Sequence, residues 1–306
     1  MFRSKSVVRA RNESYRYIFV FGSMHCFRQS LEEDRSIAFT VVFIATFFAL
    51  FFFSIAASAE DHSDTRIVLQ DFYLKSHIDA NISQQPFAAS QKFQCNGSVG
   101  SGALLEPGDI VLTARHVFLG LDKRGYAGSA KPTRCAFEIS DGKSSKWYNV
   151  DIRSAIYDES RQRSITDKFD WVMLKLRSKI QGIVPYSISD MPLDNGTPVT
   201  LVTIHQDDIP LVSPYMRIHE TCYVRQRLEI DGVLVAGYKT DCVVGVGASG
   251  AAVLVQRGNS YVVAGVMSSH AQTYGCTFDS TSCFSYAVAI NSDIVRAFHR
   301  LHYIGE

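Results

Sequence analysis

The chain has almost no excess charge of either sign: 31 Lys and Arg stand against 30 Asp and Glu among 306 residues. A protein that holds nucleic acid by neutralising phosphates needs a basic excess or a basic stripe, so that class is excluded. The 20 glycines and 8 prolines follow no period, which excludes a collagen-like chain. No repeat of solenoid length is visible. No C-x-x-C pair occurs among the 7 cysteines, which removes the commonest zinc spacing. Charged residues make up only 20% against 46% apolar, too apolar a balance for a disordered chain. Beyond residue 90 helical periodicity is nearly missing as well.

What is present is unevenly spread. Of the 20 phenylalanines, 11 lie in the first 59 residues. Ile37 to Ala59 carries no charge; Arg28 and Arg35 precede it, and Glu60, Asp61 and Asp64 follow. That asymmetry leaves the N-terminus in the cytoplasm and sends the rest across. Ala57-Ser58-Ala59 is a small-residue cleavage pattern, so residues 1–59 read as a signal peptide, with Met24 a second candidate start. The run is also long enough to span a bilayer, so residues 37–59 could instead anchor the protein to the membrane. Either reading exports the remainder, where 24 basic residues meet 26 acidic ones.

Six cysteines follow the leader: Cys95, Cys135, Cys222, Cys242, Cys276 and Cys283. In an exported chain an even set predicts disulfides, with about 15 connectivities open. His270 lies near Cys276 and Cys283, but thiolates would oxidise outside the cell, so no metal site and no cofactor are expected. His299 and His302 read as one solvated helix face. The body is a succession of short alternating runs, among them Ser98–Leu104, Asp109–Thr113, Trp171–Leu176, Pro198–Ile204, Cys222–Ile230 and Tyr261–Met267. Asp231-Gly232 and Gly258-Asn259 are hairpin signals between such runs. Many antiparallel strands at this spacing predict an all-β sandwich or barrels. One helix is expected at the end, capped by Asn291 or Ser292, with Ile294, Val295, Phe298 and Leu301 on its apolar stripe. The polar stretch from Ser178 to Asp194 is the natural divide between two halves.

Three segments carry chemistry. Val111-Leu112-Thr113-Ala114-Arg115-His116 is a strand ending in a histidine. Asp170-Trp171-Val172-Met173-Leu174-Lys175-Leu176 is a strand opened by an aspartate. Gly247-Ala248-Ser249-Gly250 is a serine between small residues, ahead of a buried strand. In this order the three blocks resemble the chymotrypsin/trypsin-like serine proteases, over roughly Arg66 to Leu301. The likeness looks closer to the bacterial exported, glutamyl-endopeptidase-like branches than to animal digestive enzymes.

The resemblance implies two six-stranded antiparallel barrels with a C-terminal helix: residues 60–180 carrying His116 and Asp170, and residues 181–306 carrying Ser249. It implies an endopeptidase acting on polypeptides through a Ser-His-Asp triad, with Asp167 as a fallback for Asp170. In that triad the serine is the nucleophile, the histidine its base and the aspartate the group that orients the base. The N–H groups of Gly247 and Ser249 would form the oxyanion hole. Val243 would lie at the pocket base beside Val244, with Ser268 and His270 on its wall, implying a neutral or apolar preference. A protonated His270 would favour an acidic side chain instead.

Departures from the family pattern matter equally. Arg115 replaces a small residue beside the histidine and is expected to turn outward. Val117 replaces a usual cysteine, so the bridges expected are Cys95–Cys135, Cys222–Cys242 and Cys276–Cys283. Arg66-Ile67-Val68 resembles an activation site, yet Ala248 offers no carboxylate to a freed N-terminus. An edge strand and a preformed hole are expected instead. No peptide-binding module is expected after Glu306. Two other classes compete with this reading. Gly247-x-Ser249 faintly resembles the α/β-hydrolase elbow, but Ala251 and the strand after it do not fit that motif. An inactive homologue serving as a secreted binding module is the alternative to an enzyme.

Overall fold

The computed structural model describes residues 67–78, 85–122, 127–128, 131–140, 144–159, 168–189, 191–204, 216–230, 234–271 and 276–303. The chain divides into two compact units, residues 1–60 and 61–306. The leader, Arg66, Asp167 and the Asp231-Gly232 turn lie outside the described residues. Among the described residues no helix is long and apolar enough to cross a membrane.

The second unit is built on two closed barrels. The first comprises β2 (Ser90–Cys95), β3 (Ser98–Leu105), β4 (Ile110–Thr113), β5 (Cys135–Ser140), β6 (Ser145–Ile156) and β7 (Val172–Leu176), closing in the order β2-β3-β4-β7-β6-β5. Neighbouring strands pair antiparallel. The second ring is β9 (Pro198–Ile204), β10 (Met216–Ile230), β11 (Leu234–Thr240), β14 (Phe284–Ala289), β13 (Ser260–Ala271) and β12 (Ala252–Arg257). It closes because β9 pairs with both β10 and β12. Two short strands are added: β1 (Ile67–Val68) on β10 and β8 (Ser187–Ile188) parallel to β13. The fold is thus the all-β, two-barrel architecture that the sequence implied.

Side-chain alternation fills the barrels. Phe93, Phe137, Ile110, Leu112 and Met173 are fully or almost fully buried in the first; Tyr238, Val253 and Ala287 are buried in the second. On β5 the inward Cys135, Phe137 and Ile139 alternate with half-buried Ala136 and Glu138, the period-2 signature of one solvated face. Gly258, at φ +60, makes the tight turn between β12 and β13, where Arg257 pairs with Ser260. The strands on either side of Asp231-Gly232 pair antiparallel, but Ile230 lies against Leu234, so three residues separate the paired ends where the sequence suggested a two-residue turn.

The structure has three helices among the described residues, where the sequence predicted one. The predicted one, α3 (Ser292–Tyr303), is capped by Asn291, whose side-chain oxygen accepts the N–H groups of Asp293 and Ile294 at 3.0 and 3.1 Å. Its buried face is Ile294, Ala297, Phe298 and Leu301, with Val295 only half-buried. It packs against β4 and β7 of the first barrel. The others, α1 (Leu69–Lys75) and α2 (Arg115–Leu119), are too short for periodicity to reveal. Cysteine pairs Cys95–Cys135, Cys222–Cys242 and Cys276–Cys283 stand at disulfide distance.

Candidate active site

Register brings the first two candidate residues together. β4 and β7 pair antiparallel, Thr113 opposite Val172, so the residues just beyond Thr113 face those just before Val172. After Thr113, Ala114 stays extended and starts α2, which presents His116 in its first turn. Asp170 precedes Trp171 and β7 on the facing side.

Asp170 is fully buried and its carboxylate is met by three donors. Oδ1 accepts the His116 backbone N–H at 3.0 Å. Oδ2 lies 2.7 Å from His116 Nδ1 and accepts the Ser268 hydroxyl at 2.5 Å. Burial alone would raise the Asp170 pKa, but the nearby imidazole and these hydrogen bonds outweigh it and hold the carboxyl below its ordinary value. Burial likewise disfavours protonation of His116. The charge and hydrogen bond of Asp170 overcome that and raise the imidazole pKa, while Arg115 pulls it down. The carboxylate therefore fixes the ring with Nδ1 toward it, leaving Nε2 for chemistry.

Arg115 corrects an expectation. It does not turn out to solvent; its exposure is 3%, and Nη1 donates to the Asp158 carbonyl oxygen. The chain enters a helix at Arg115, so its side chain no longer follows the strand alternation of β4. It packs instead against the segment that follows β6.

Ser249 sits in a turn between Gly247 at φ +97 and Gly250 at φ +88. A side chain at Gly250 would place Cβ 2.1 Å from Thr113 Oγ1 and 2.2 Å from the Ser101 carbonyl oxygen, so glycine is required twice over. The turn is bolted to the first barrel. Ser101 N–H donates to the Ser249 carbonyl at 2.8 Å, and Ser101 Oγ donates to the Gly247 carbonyl at 2.8 Å. The same hydroxyl accepts the N–H of Ile204 in the second barrel at 2.9 Å. Thr113 Oγ1 in turn donates to the Ser101 carbonyl at 2.7 Å.

Ser268 joins the pieces. Its hydroxyl is on Asp170, and its carbonyl accepts the Ser249 hydroxyl at 3.5 Å. His116, Asp170, Ser268 and Ser249 thus form one contiguous polar chain across the two barrels. The sequence implied a pocket-wall position for Ser268; the structure turns its buried hydroxyl to the carboxylate. Ser101 and Thr113 do not stand out in the sequence, although Ser101 lies between Gly100 and Gly102 in a glycine-rich run and Thr113 within the histidine block.

Several main-chain N–H groups around the serine are already taken. Ala248, Gly250 and Ala251 donate to the carbonyls of Gly245, Met267 and Ala248 at 3.1, 2.7 and 3.0 Å. Among the described residues no acceptor is paired with the N–H of Gly247 or Ser249. Val244 is buried and Val243 half-buried. His270 lies on β13 opposite Ser285, with its side chain outside the described ones. Ile67 and Val68 form an edge strand on β10, and Ala248 is buried.

The metal-like grouping among the described residues is Cys222, Asp241 and Cys242. Its sulfurs are joined to each other and Asp241 is paired with Arg225, so it offers no ligand set.

No family model and no curated protein matches the chain. Solved structures do. A Glu endopeptidase bound to MPD matches with a TM-score of 0.59 at 14% identity, over 78% of this chain and 97% of that one. The Rv3671c protease of M. tuberculosis, in an inactive form, matches with a TM-score of 0.43 at 14% identity, over 72% and 91%. The fold is that of the chymotrypsin-like serine proteases.

Proposed function

We propose that the chain is an exported serine endopeptidase in which Ser249 is the nucleophile, His116 the general base and Asp170 its orienter. The observation that carries this reading is the polar chain from His116 through Asp170 and Ser268 to Ser249. A serine hydroxyl is a weak nucleophile until a base removes its proton. His116 Nε2 takes that proton as Ser249 Oγ bonds to the substrate carbonyl carbon, and Asp170 stabilises the imidazolium that results. The carbonyl oxygen, now anionic, is met by the N–H groups of Gly247 and Ser249, each such donor typically worth about 3 kcal/mol of barrier. His116 then protonates the leaving amine, and water releases the acyl group by the reverse sequence.

In this reading residues 60–180 and 181–306 are the two catalytic halves, and residues 1–59 are a leader or a membrane anchor. Three cysteine pairs at disulfide distance support an oxidising compartment outside the cytoplasm. Apolar Val243 and Val244 favour a neutral or apolar substrate side chain, an acidic one being the alternative through His270. A cleavage profile from a peptide library distinguishes the two, and a profile dominated by Arg or Lys refutes both.

Buried Arg115 favours a second reading, an inactive homologue that keeps the barrels as a binding module. A cation behind the base opposes its protonation, but Asp170 outweighs it. Labelling with a fluorophosphonate decides. The folded protein should be labelled at Ser249, and Ser249→Ala should lose both labelling and peptide hydrolysis with its melting temperature unchanged. A folded wild-type protein that resists the reagent overturns the enzyme.

A further inference from the structure

On its outer face the first barrel carries a cleft of about 550 Å³ that shares no residue with the Ser249 site. Strand register explains its shape. Gln94 on β2 pairs with Ala136 on β5, and Ala136 pairs with Asn149 on β6, so the three side chains stand in one outward row. In the next row Glu138 pairs with Trp147. The methyl group of Ala136 leaves a floor between longer neighbours, and Gln94, Asn149, Trp147 and Arg134 wall it.

Trp147 is 43% exposed, whereas Trp171, the other tryptophan of the chain, is 2% exposed. The open indole offers an apolar face and an N–H donor beside the cleft. The indole is steadied by Lys92, whose ammonium lies 5.1 Å from the ring centroid and 3.7 Å from Glu138. The opposite wall is also fixed. Asn96 Oδ1 accepts the N–H groups of Thr133 and Arg134 and the Thr133 hydroxyl, each at 3.2 Å, and the Cys95–Cys135 pair sits directly behind. The cleft is therefore formed before any ligand arrives, which spares a ligand the ordering entropy.

We propose that this cleft binds carbohydrate, with Trp147 against the C–H face of a pyranose ring and Gln94, Asn149 and Arg134 on its hydroxyls. A sugar hydroxyl both donates and accepts, and so does a side-chain amide, while the guanidinium supplies further donors. Other partners fit less well. A peptide adding as a strand needs a free sheet edge, and this barrel is closed. Nucleic acid needs several uncompensated cations, and Arg134 is the one cation among the lining residues. The inference does not depend on whether Ser249 is reactive.

Trp147 is also the reporter, since Trp171 is shielded. Soluble oligomers of glucose, N-acetylglucosamine, galactose and a uronic acid, titrated separately into the folded protein, should include at least one that changes Trp147 fluorescence saturably. For that sugar, Trp147→Ala, followed by calorimetry, should weaken binding by about tenfold or more. Asn149→Ala should weaken it several-fold, with melting temperatures and fluorophosphonate labelling unchanged in both variants. The proposal is overturned if none of the four binds, or if binding survives Trp147→Ala. It is equally overturned if a polyproline peptide or single-stranded RNA saturates Trp147 and no sugar does.

Discussion

Replacing Asp170 by Asn tests the proposed base most sharply, because the change keeps the shape and removes only the charge. In the native site the carboxylate accepts from His116 N–H, His116 Nδ1 and Ser268 Oγ, at 3.0, 2.7 and 2.5 Å. An amide cannot accept on both sides. With its oxygen toward Ser268 it points a donor at the His116 backbone N–H; turned over, it points that donor at Ser268 and Nδ1. Either way at least one hydrogen bond is lost, and those that remain fall from about 1.5–3 to about 1 kcal/mol each.

The larger effect is on the proton. Burial and Arg115 both lower the affinity of His116 for it, and Asp170 alone lifts the pKa above 6.5. Without the carboxylate only the two lowering influences remain, so the pKa should cross to the other side of 6.5. With His116 as the proposed base, the fluorophosphonate reaction needs its neutral form. Its rate should therefore rise with a midpoint above pH 6.5 in the wild type and below it in Asp170→Asn. The plateau should fall by about 10²–10⁴, because the ring is no longer held in its useful tautomer. Stability should follow the same groups. The lowered Asp170 contributes above pH 3.8 and is lost as pH falls through its native pKa; the raised His116 contributes below pH 6.5 and is lost as pH climbs through its own. The gap in denaturation free energy between the two proteins should thus be widest between those values. A variant whose labelling midpoint stays above 6.5 would refute the reasoning.

Gly250→Ala should destabilise the fold by at least about 3 kcal/mol, from positive-φ strain and a Cβ forced onto Thr113 and Ser101; an unchanged urea midpoint would contradict the packing. Arg66→Gln should leave the hydrolysis rate as it was, since Ile67 is tied into an edge strand and Ala248 offers a freed ammonium no partner. If that variant were inert until cleaved before Ile67, the hole would not be preformed. Replacing both cysteines of Cys95–Cys135 should cost about 4 kcal/mol, and of Cys276–Cys283 about 2 kcal/mol, as loop-closure entropy predicts for separations of 40 and 7 residues. Thermal and chemical melts of the two double variants check the order, and the reverse order would count against the pairing.

The parts legible in the sequence are those where an apolar-rich run is sharply bounded. Pro198–Ile204 can be bounded correctly because Val199 to Ile204 is an unbroken buried run between polar ends. Ser90–Cys95 does not announce itself as a strand because its inward residues include Gln91. That amide is buried on the carbonyls of Ala88 and Ser140, a pairing that no local pattern reveals. His116, Asp170 and Ser249 are legible as three blocks in order, yet nothing in a linear text shows that one serine bridges them. Ser268 has to be seen in place. Arg115 departs from expectation for the opposite reason: its neighbours in sequence suggest an outward turn, but its partner is Asp158, 43 positions on.

The hydroxyl of Ser101, held between Ile204 and Gly247, has a consequence for timing. The proposed base and its carboxylate belong to the first barrel, the nucleophile and Ser268 to the second, and the weld between them needs β3 and β9 together. Chain up to β7 carries only the proposed base and its carboxylate. The proposed nucleophile also depends on chain that follows it, since Gly250 N–H donates to the Met267 carbonyl and the Ser249 hydroxyl to that of Ser268. In the proposed reading the centre is therefore complete only when β13, close to the C-terminal end of the fold, is in place.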